Sequence, residues 1–358
     1  MTAGSFYSAG VFFHPRNIYV NMALILCFHP FAARGYEFRR IIMSDIQKNL
    51  NLIQRIRENI AIAFTGNTYA IDMVLSTMIC GGHILVEDVP GLGKTTLASA
   101  LARSLDLNFR RIQFTPDVLP TDITGFISYN MNTGEREVHL GAVMAQIVLA
   151  DEINRTGPKT QSSLLEAMQE GNVTIDGETY PVPQPFFVIA TQNPSGHIGT
   201  YPLPESQLDR FLMKISVGYP SKNAEKDILV SRKGADPLKT LKPVAKAKDI
   251  LSLRSAHAQM ICSPHIVEYI VSISSATRAH EKITLGISPR GSLALMNASI
   301  AAAMLNGRDY VLPDDVQAMA EPVLSHRIIL SRKQFHSQDT PSSVLAGIIR
   351  SIKVPGVS

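Results

Sequence analysis

Cysteine is scarce in this sequence, and what there is cannot build much. Cys27, Cys80 and Cys262 stand far apart in 358 residues. No pair has zinc spacing, and an odd count does not make a disulfide framework. Packed thiols in a reduced, cytoplasmic protein are the expectation. Long apolar runs are absent too, so no membrane insertion is expected. Charge is modest at 18% against 45% hydrophobic residues. That composition describes a globular chain with core enough for one large or two medium domains.

Residues 1–43 lack lysine altogether and hold one acid, Glu37, against Arg16, Arg34, Arg39 and Arg40. They carry +3 of the formal net charge of +4, leaving +1 for the body. A near-neutral body has no nucleic-acid footprint. The same stretch holds nine of the 24 aromatics and shows little periodicity. Its "NMALILCFHPFAA" is too short to cross a membrane and too late for a signal peptide. An Arg-rich, acid-poor targeting segment is one reading; the preferred expectation is that residues 1–42 are an atypical extension and that Met43 is the true start.

What is present begins with "ILVEDVPGLGKTT", Ile84 to Thr96. A phosphate-binding loop reads Gly-x-x-x-x-Gly-Lys-[Ser/Thr]. Here Asp88 stands where the first glycine belongs, while Gly91, Gly93, Lys94 and Thr95 survive. Glycines leave backbone N–H groups free for phosphate oxygens, the lysine reaches the outer phosphates, and the hydroxyl binds Mg²⁺. "HILVED" before the loop reads as a buried strand, and "TTLASALARSL" after it as a helix with its N-terminus toward the anion. Asp88, Pro90, Gly91, Leu92, Gly93, Lys94, Thr95 and Thr96 are the nucleotide-binding candidates.

A capped helix is expected from Ser44 and a second at "AIDMVLSTMIC". Further strands are expected at "FRRIQF", "IVLAD" and "FFVIATQ", with hairpins around Asn132–Gly134 and Asp176–Gly177. Alternating buried strands and helices argue an α/β parallel sheet. After about residue 220 the pattern is helical throughout. "IVLADE" puts Asp151 and Glu152 at a strand end, where parallel sheets place ligands. One acid can hold Mg²⁺ and the other orient the attacking water; these roles fall to Asp151 and Glu152. Asn193 ends the next strand, where its amide can hydrogen-bond that water or a phosphate.

These pieces in this order resemble the MoxR family of AAA+ ATPases, in the helix-2-insert clade. The resemblance runs from about Gly66 to His326. It is carried by "GGHILVEDVPGLGKTTLA", "RIQFTPDVLPTDITG", "VLADEINR", "PKTQSSLLEAMQEGNVTIDGETYPVPQPFFVIATQNP", "GTYPLPESQLDRF" and "GRDYVLPDDV". MoxR-like chains commonly read "EDVPG", so Asp88 looks like a family variant. The resemblance implies a P-loop α/β core over 43–219 and a smaller all-α lid over 220–358, binding ATP and Mg²⁺. It makes Asn193 sensor 1, Arg210 the arginine finger for a neighbouring subunit and Arg290 sensor 2. Gly66 and Asn67 are weak adenine-side candidates. Thr156 and Gly291 depart from the family's alanines, and Gly291 would loosen the helix start that aims Arg290.

The implied function is a remodelling chaperone, a homo-hexameric ring acting on a protein client with a von Willebrand factor A domain partner. A nucleic-acid motor is the first alternative, but residues 172–185 contain no basic residue. A chelatase-type subunit is the second, and fits the sequence runs less well. A chain starting at Met43 should fold and turn over ATP as the full chain does, and be more soluble. A lower melting temperature for it would make the first 42 residues part of the fold.

Overall fold

The computed structural model describes residues 30–194, 200–231, 236–331 and 339–356. The chain divides into two compact units between Lys48 and Asn49. Helix α1, Pro30–Ala63, begins well before the Ser44 start expected from the capping residues. Pro30 suits a first helical position, where its missing N–H costs nothing, and no proline follows to break the helix. Residues 30–42 are therefore helical, against the expectation that they lack a helix pattern; residues 1–29, with Cys27, lie outside the described residues.

In the unit Asn49–Ser358, helix α2 (Thr68–Ile79) leads into β1 (Ile84–Glu87) and helix α3 (Lys94–Ser104). Strand β2 (Phe109–Gln113) follows, then a hairpin of β3 (Gly125–Tyr129) and β4 (Arg136–Leu140). Next come β5 (Ile147–Asp151), helix α4 (Pro158–Glu170), a second hairpin of β6 (Asn172–Ile175) and β7 (Glu178–Pro181), β8 (Phe187–Gln192) and β9 (Met213–Ile215). The main sheet has the order β2-β5-β8-β1-β9, parallel throughout. Helices cover both faces, so its central strands read as unbroken apolar runs. Ile84, Val86, Ile147, Leu149 and Ile189 pack with α2 and α3, while Leu85, Val148, Ala150, Val188 and Ala190 pack with α4. The second hairpin turns at Asp176 and Gly177, both with positive φ, as an Asp-Gly pair favours.

The C-terminal region holds α5 (Lys222–Ser231), α6 (Ala247–Gln259), α7 (Pro264–Ala279), α8 (Pro289–Leu305), α9 (Pro313–Leu324) and α10 (Pro341–Ser351). It is not purely helical as expected. An antiparallel ribbon pairs β10 (Ile283–Leu285) with β11 (Ile329–Leu330). Strands of three and two residues are too short to show a period of two in sequence.

One guanidinium fastens this region to the sheet. Arg327 is 5% exposed and donates to Asp209 Oδ1 at 2.7 Å, Phe211 O at 2.8 Å, Leu212 O at 3.2 Å, and the carbonyl of Val323. Burying a charge is tolerable only when it is paired and hydrogen-bonded, as here. Replacing it with an apolar side chain strands the acceptors. Arg327→Met should lower unfolding free energy by about 2–4 kcal/mol, read from urea denaturation; a loss near zero would mean that the clasp contributes nothing.

Candidate functional site

The loop between β1 and α3 has the geometry of an anion cradle. Gly91 and Gly93 hold φ of 92° and 81°, a region costly for other residues. At Gly91 a side-chain carbon would meet nothing within 4 Å, so the outer rim is open. Gly93 caps α3, an eleven-residue helix whose first N–H groups have no partner within the helix. Thr95 is exposed and Thr96 half-buried in its first turn. Lys94 is buried and donates to Asp88 O at 2.7 Å. Burial pushes its ammonium below the ordinary lysine range, against the pull of Asp88, Asp151 and Glu152.

Asp88 is structural. Its carboxylate accepts from Ser216 Oγ at 2.8 Å and from the Val217 N–H, just beyond β9. The side chain turns away from the loop's interior and ties the loop's start to the neighbouring strand. Its contribution to the cradle is the carbonyl that holds Lys94.

Beside the cradle lies a cavity of 130 Å³, lined in part by Phe64, Asn67, Leu92, Thr96, Gly218 and Ile228. Asn67 caps α2, accepting from Ala70 N at 2.8 Å, and donates to Val217 O at 2.5 Å. Gly66 does not line the cavity. Its φ is 93°, and a side-chain carbon there would stand 2.3 Å from Ala224 Cβ, so it permits close approach of α5. Phe64, Gly218 and Ile228 were missed in sequence because they come from segments far from the loop. Pro90 is exposed and outside this lining.

Asp151 and Glu152 end β5 two strands from β1. Thr191 Oγ1 donates to Asp151 Oδ1 at 2.6 Å and accepts from the Glu152 N–H at 2.9 Å. Glu152 holds φ 57° and ψ 48°, left-handed values rare for a non-glycine residue. Its Oε1 accepts from Asn193 Nδ2 at 3.0 Å; its Oε2 accepts from Arg155 at 2.9 Å and Gln113 at 3.0 Å. Burial pushes the Glu152 carboxyl up, but the Arg155 and Asn193 hydrogen bonds bring it below the usual carboxylate range. It is therefore ionised at neutral pH, as a water-orienting acid must be. Asp151 Oδ2 accepts from Arg111 Nη2 at 2.7 Å and Nε at 3.1 Å. Sequence reasoning missed Arg111, Gln113, Arg155 and Thr191; Arg111 and Gln113, two apart on one strand beside β5, were the available signal.

Arg210 and Arg290 come together elsewhere. Both line a cavity of 220 Å³ with His83, Gln169, Asp209 and Arg327, none of which lines the cavity beside the cradle. Asp209 Oδ2 lies 3.6 Å from Arg290 Nε. The helix start below Arg290 is not loosened as expected. Ser288 Oγ accepts from the Gly291 N–H at 3.3 Å, and a side-chain carbon at 291 would stand 2.7 Å from Ile287 and 3.3 Å from Arg327. Glycine lets α8 sit against the arginine clasp.

The donor set fits a nucleotide with its divalent cation. One hydroxyl and one or two carboxylates are few ligands, which suits Mg²⁺ completing its shell with water and phosphate oxygens. Among the described residues no group of three His, Cys, Asp or Glu forms a metal site of its own. Cys80 and Cys262 are free thiols, and burial pushes Cys80 up to about 12, as for a packed, inert group.

Restoring the usual glycine should damage the loop. Asp88→Gly strands the Val217 N–H at a cost of about 1–3 kcal/mol and frees the loop's start. Melting temperature and nucleotide affinity should both fall; equal or tighter binding would show that the carboxylate supports nothing.

Comparison with known proteins agrees with this geometry. Residues 83–213 match the ATPase family associated with various cellular activities (AAA), and residues 275–348 match the AAA lid domain. YeaC, an uncharacterized protein of Bacillus subtilis, is 48% identical over 304 residues, 85% of this chain and 95% of its own. Chaperone MoxR1 of Mycobacterium tuberculosis is 41% identical over 302 residues, 82% of this chain and 80% of its own. The crystal structure of a proposed ATPase of Cytophaga hutchinsonii is 37% identical and superposes with a TM-score of 0.81, covering 88% of this chain and 99% of that one. With a phosphate cradle, strand-end acids and a helical lid in one compact unit, the chain belongs to the MoxR family of AAA ATPases.

Proposed function

We propose that this ATPase is a MoxR-type chaperone, working as a ring in which each active site is completed by the neighbouring subunit. The separation of Arg210 and Arg290 from the chain's own cradle carries this reading. Two arginines lining a cavity that shares no residue with the nucleotide side support a role outside the chain's own site. Set against the next subunit's phosphates they supply the charge that phosphoryl transfer requires.

Within its own site the chain binds, orients and excludes. Gly91, Gly93 and the first turn of α3 hold phosphate oxygens through backbone N–H groups, with Lys94 reaching over them. Phe64, Asn67 and Ile228 enclose the base. Thr95 and Asp151 would hold Mg²⁺, which supplies neutralisation of phosphate charge when bound. Glu152 takes the water's proton at a carboxylate oxygen, and Asn193, 3.0 Å from Oε1, fixes that carboxylate's direction. A hexamer, a protein client and a von Willebrand factor A domain partner complete the proposal, supported by the resemblance to a relative named as a chaperone. A nucleic-acid motor is disfavoured. Arg136, the one arginine or lysine of the first hairpin's strands, is ion-paired with Glu178 of the second, which leaves no free Lys or Arg on those strands for phosphates.

Mixing tests the shared site. Glu152→Gln should keep nucleotide binding and lose turnover by orders of magnitude, and Arg210→Ala should lose turnover alone. Co-assembled, the two should recover part of it, because one kind of interface pairs an intact Glu152 with an intact Arg210. Proven co-assembly without recovery would sink the shared-site reading.

A further inference from the structure

Arg111 has no part in the functional reading above, yet it holds one of its principal side chains. It lies on β2, the edge strand beside β5, in a register that pairs Gln113 with Asp151. Arg111 and Gln113 are two apart and share a face. The guanidinium reaches along the strand and gives two N–H groups to one oxygen, Asp151 Oδ2, at 2.7 and 3.1 Å. Thr191 occupies the other oxygen at 2.6 Å. Both oxygens of the acid assigned to the cation are thus already engaged. The same Arg111 Nη2 donates to Gln113 Oε1 at 2.6 Å, and Gln113 Nε2 donates to Glu152 Oε2 at 3.0 Å. One chain of side chains therefore runs from Asp151 through Arg111 and Gln113 to Glu152.

We propose that Arg111 is the resting counter-ion of Asp151, held on the carboxylate until a nucleotide-bound divalent cation displaces it, so that it sets the Mg²⁺ concentration the site demands. This rests on the assignment of Asp151 to Mg²⁺ above. The physical argument is competition. A carboxylate serves a hydrated divalent ion with the same lone pairs that Arg111 now fills, and two cations beside one carboxylate repel. A guanidinium does not give up its proton near neutral pH, so Arg111 can yield only by moving. It has room to do so: its side chain is 48% exposed against 14% for Asp151. Its departure also removes the donor that holds Gln113, so arrival of the cation at Asp151 is felt at Glu152. Arg111 is a positioning residue in this scheme, acting through the two acids.

The experiment measures binding, not turnover. The full chain, Arg111→Met, Arg111→Lys and Asp151→Asn are titrated with a fluorescent ADP analogue at buffered Mg²⁺ concentrations and in excess chelator. Arg111→Met should reach half-maximal Mg²⁺-dependent binding at roughly 1.4- to fivefold less Mg²⁺, the range for an exposed ion pair. Arg111→Lys keeps the charge but loses the two-nitrogen grip, so it should fall between. Affinity in chelator should stay as in the unchanged protein. An unchanged or raised Mg²⁺ requirement in Arg111→Met, or a loss of affinity in chelator, overturns the counter-ion role; the latter would make Arg111 a nucleotide ligand. Should thermal melting show that Arg111→Met does not fold, Arg111→Lys decides by the same criterion. Failure of the underlying assignment looks different. There Asp151→Asn would match the unchanged protein in its Mg²⁺ dependence, whereas a weakened Asp151→Asn beside an indifferent Arg111→Met removes only the proposal.

Discussion

The register of three buried strands is the constraint from which the site follows. Parallel pairing sets Ala150 of β5 against Ala190 of β8, and Leu85 of β1 against the same residue. The next residues along these strands are Asp151, Thr191 and Val86, so the acid and the hydroxyl stand at one level, one residue before β8 and the loop strand β1 end. A slip of one residue would turn every side chain to the opposite face. It would exchange the two apolar sets that α3 and α4 cover, at the cost of the whole core. The core therefore enforces the alignment of polar groups that it does not itself contact.

That alignment explains how one hydroxyl can govern two acids. Thr191 gives its proton to Asp151 and receives the Glu152 N–H. The left-handed backbone at Glu152 then sends its carboxylate away from Asp151, toward Asn193, Gln113 and Arg155. Adjacent carboxylates are kept apart by separate sets of donors. Asp88 shows the same economy just past β1, where an acid at the head of a phosphate loop is held by a hydroxyl and a backbone N–H of the segment just beyond β9.

Much of this was legible in the sequence, for identifiable reasons. Strands buried on both faces are apolar runs, and glycines at 91 and 93 mark positive φ, so the sheet and cradle could be read directly. The Asp176–Gly177 turn was legible because its chemistry is local. Long-range partners were not. Arg111 and Gln113 acquire meaning only when β2 lies beside β5, a pairing between residues about forty positions apart. The start of α1 was misread because Ser44 and Asp45 make a plausible cap, yet nothing upstream interrupts the helix back to Pro30. The β10–β11 ribbon was invisible because each strand is shorter than one period of evidence. Thr156, buried with no partner for its hydroxyl among the described residues, is unexplained by its surroundings.

The arginine clasp at Arg327 has a consequence for how this chain can vary. Apart from the Asp209 carboxylate and the His326 ring nitrogen, its acceptors are main-chain carbonyls, of Asp209, Phe211, Leu212 and Val323. Carbonyls are supplied by every amino acid. Positions 211, 212 and 323 can therefore drift under packing demands alone without weakening the clasp. Position 327 has no such freedom, since no other side chain offers several donors in a rigid planar fork. The attachment of the helical region to the sheet thus rests its specificity on one codon and is indifferent to most of its partners.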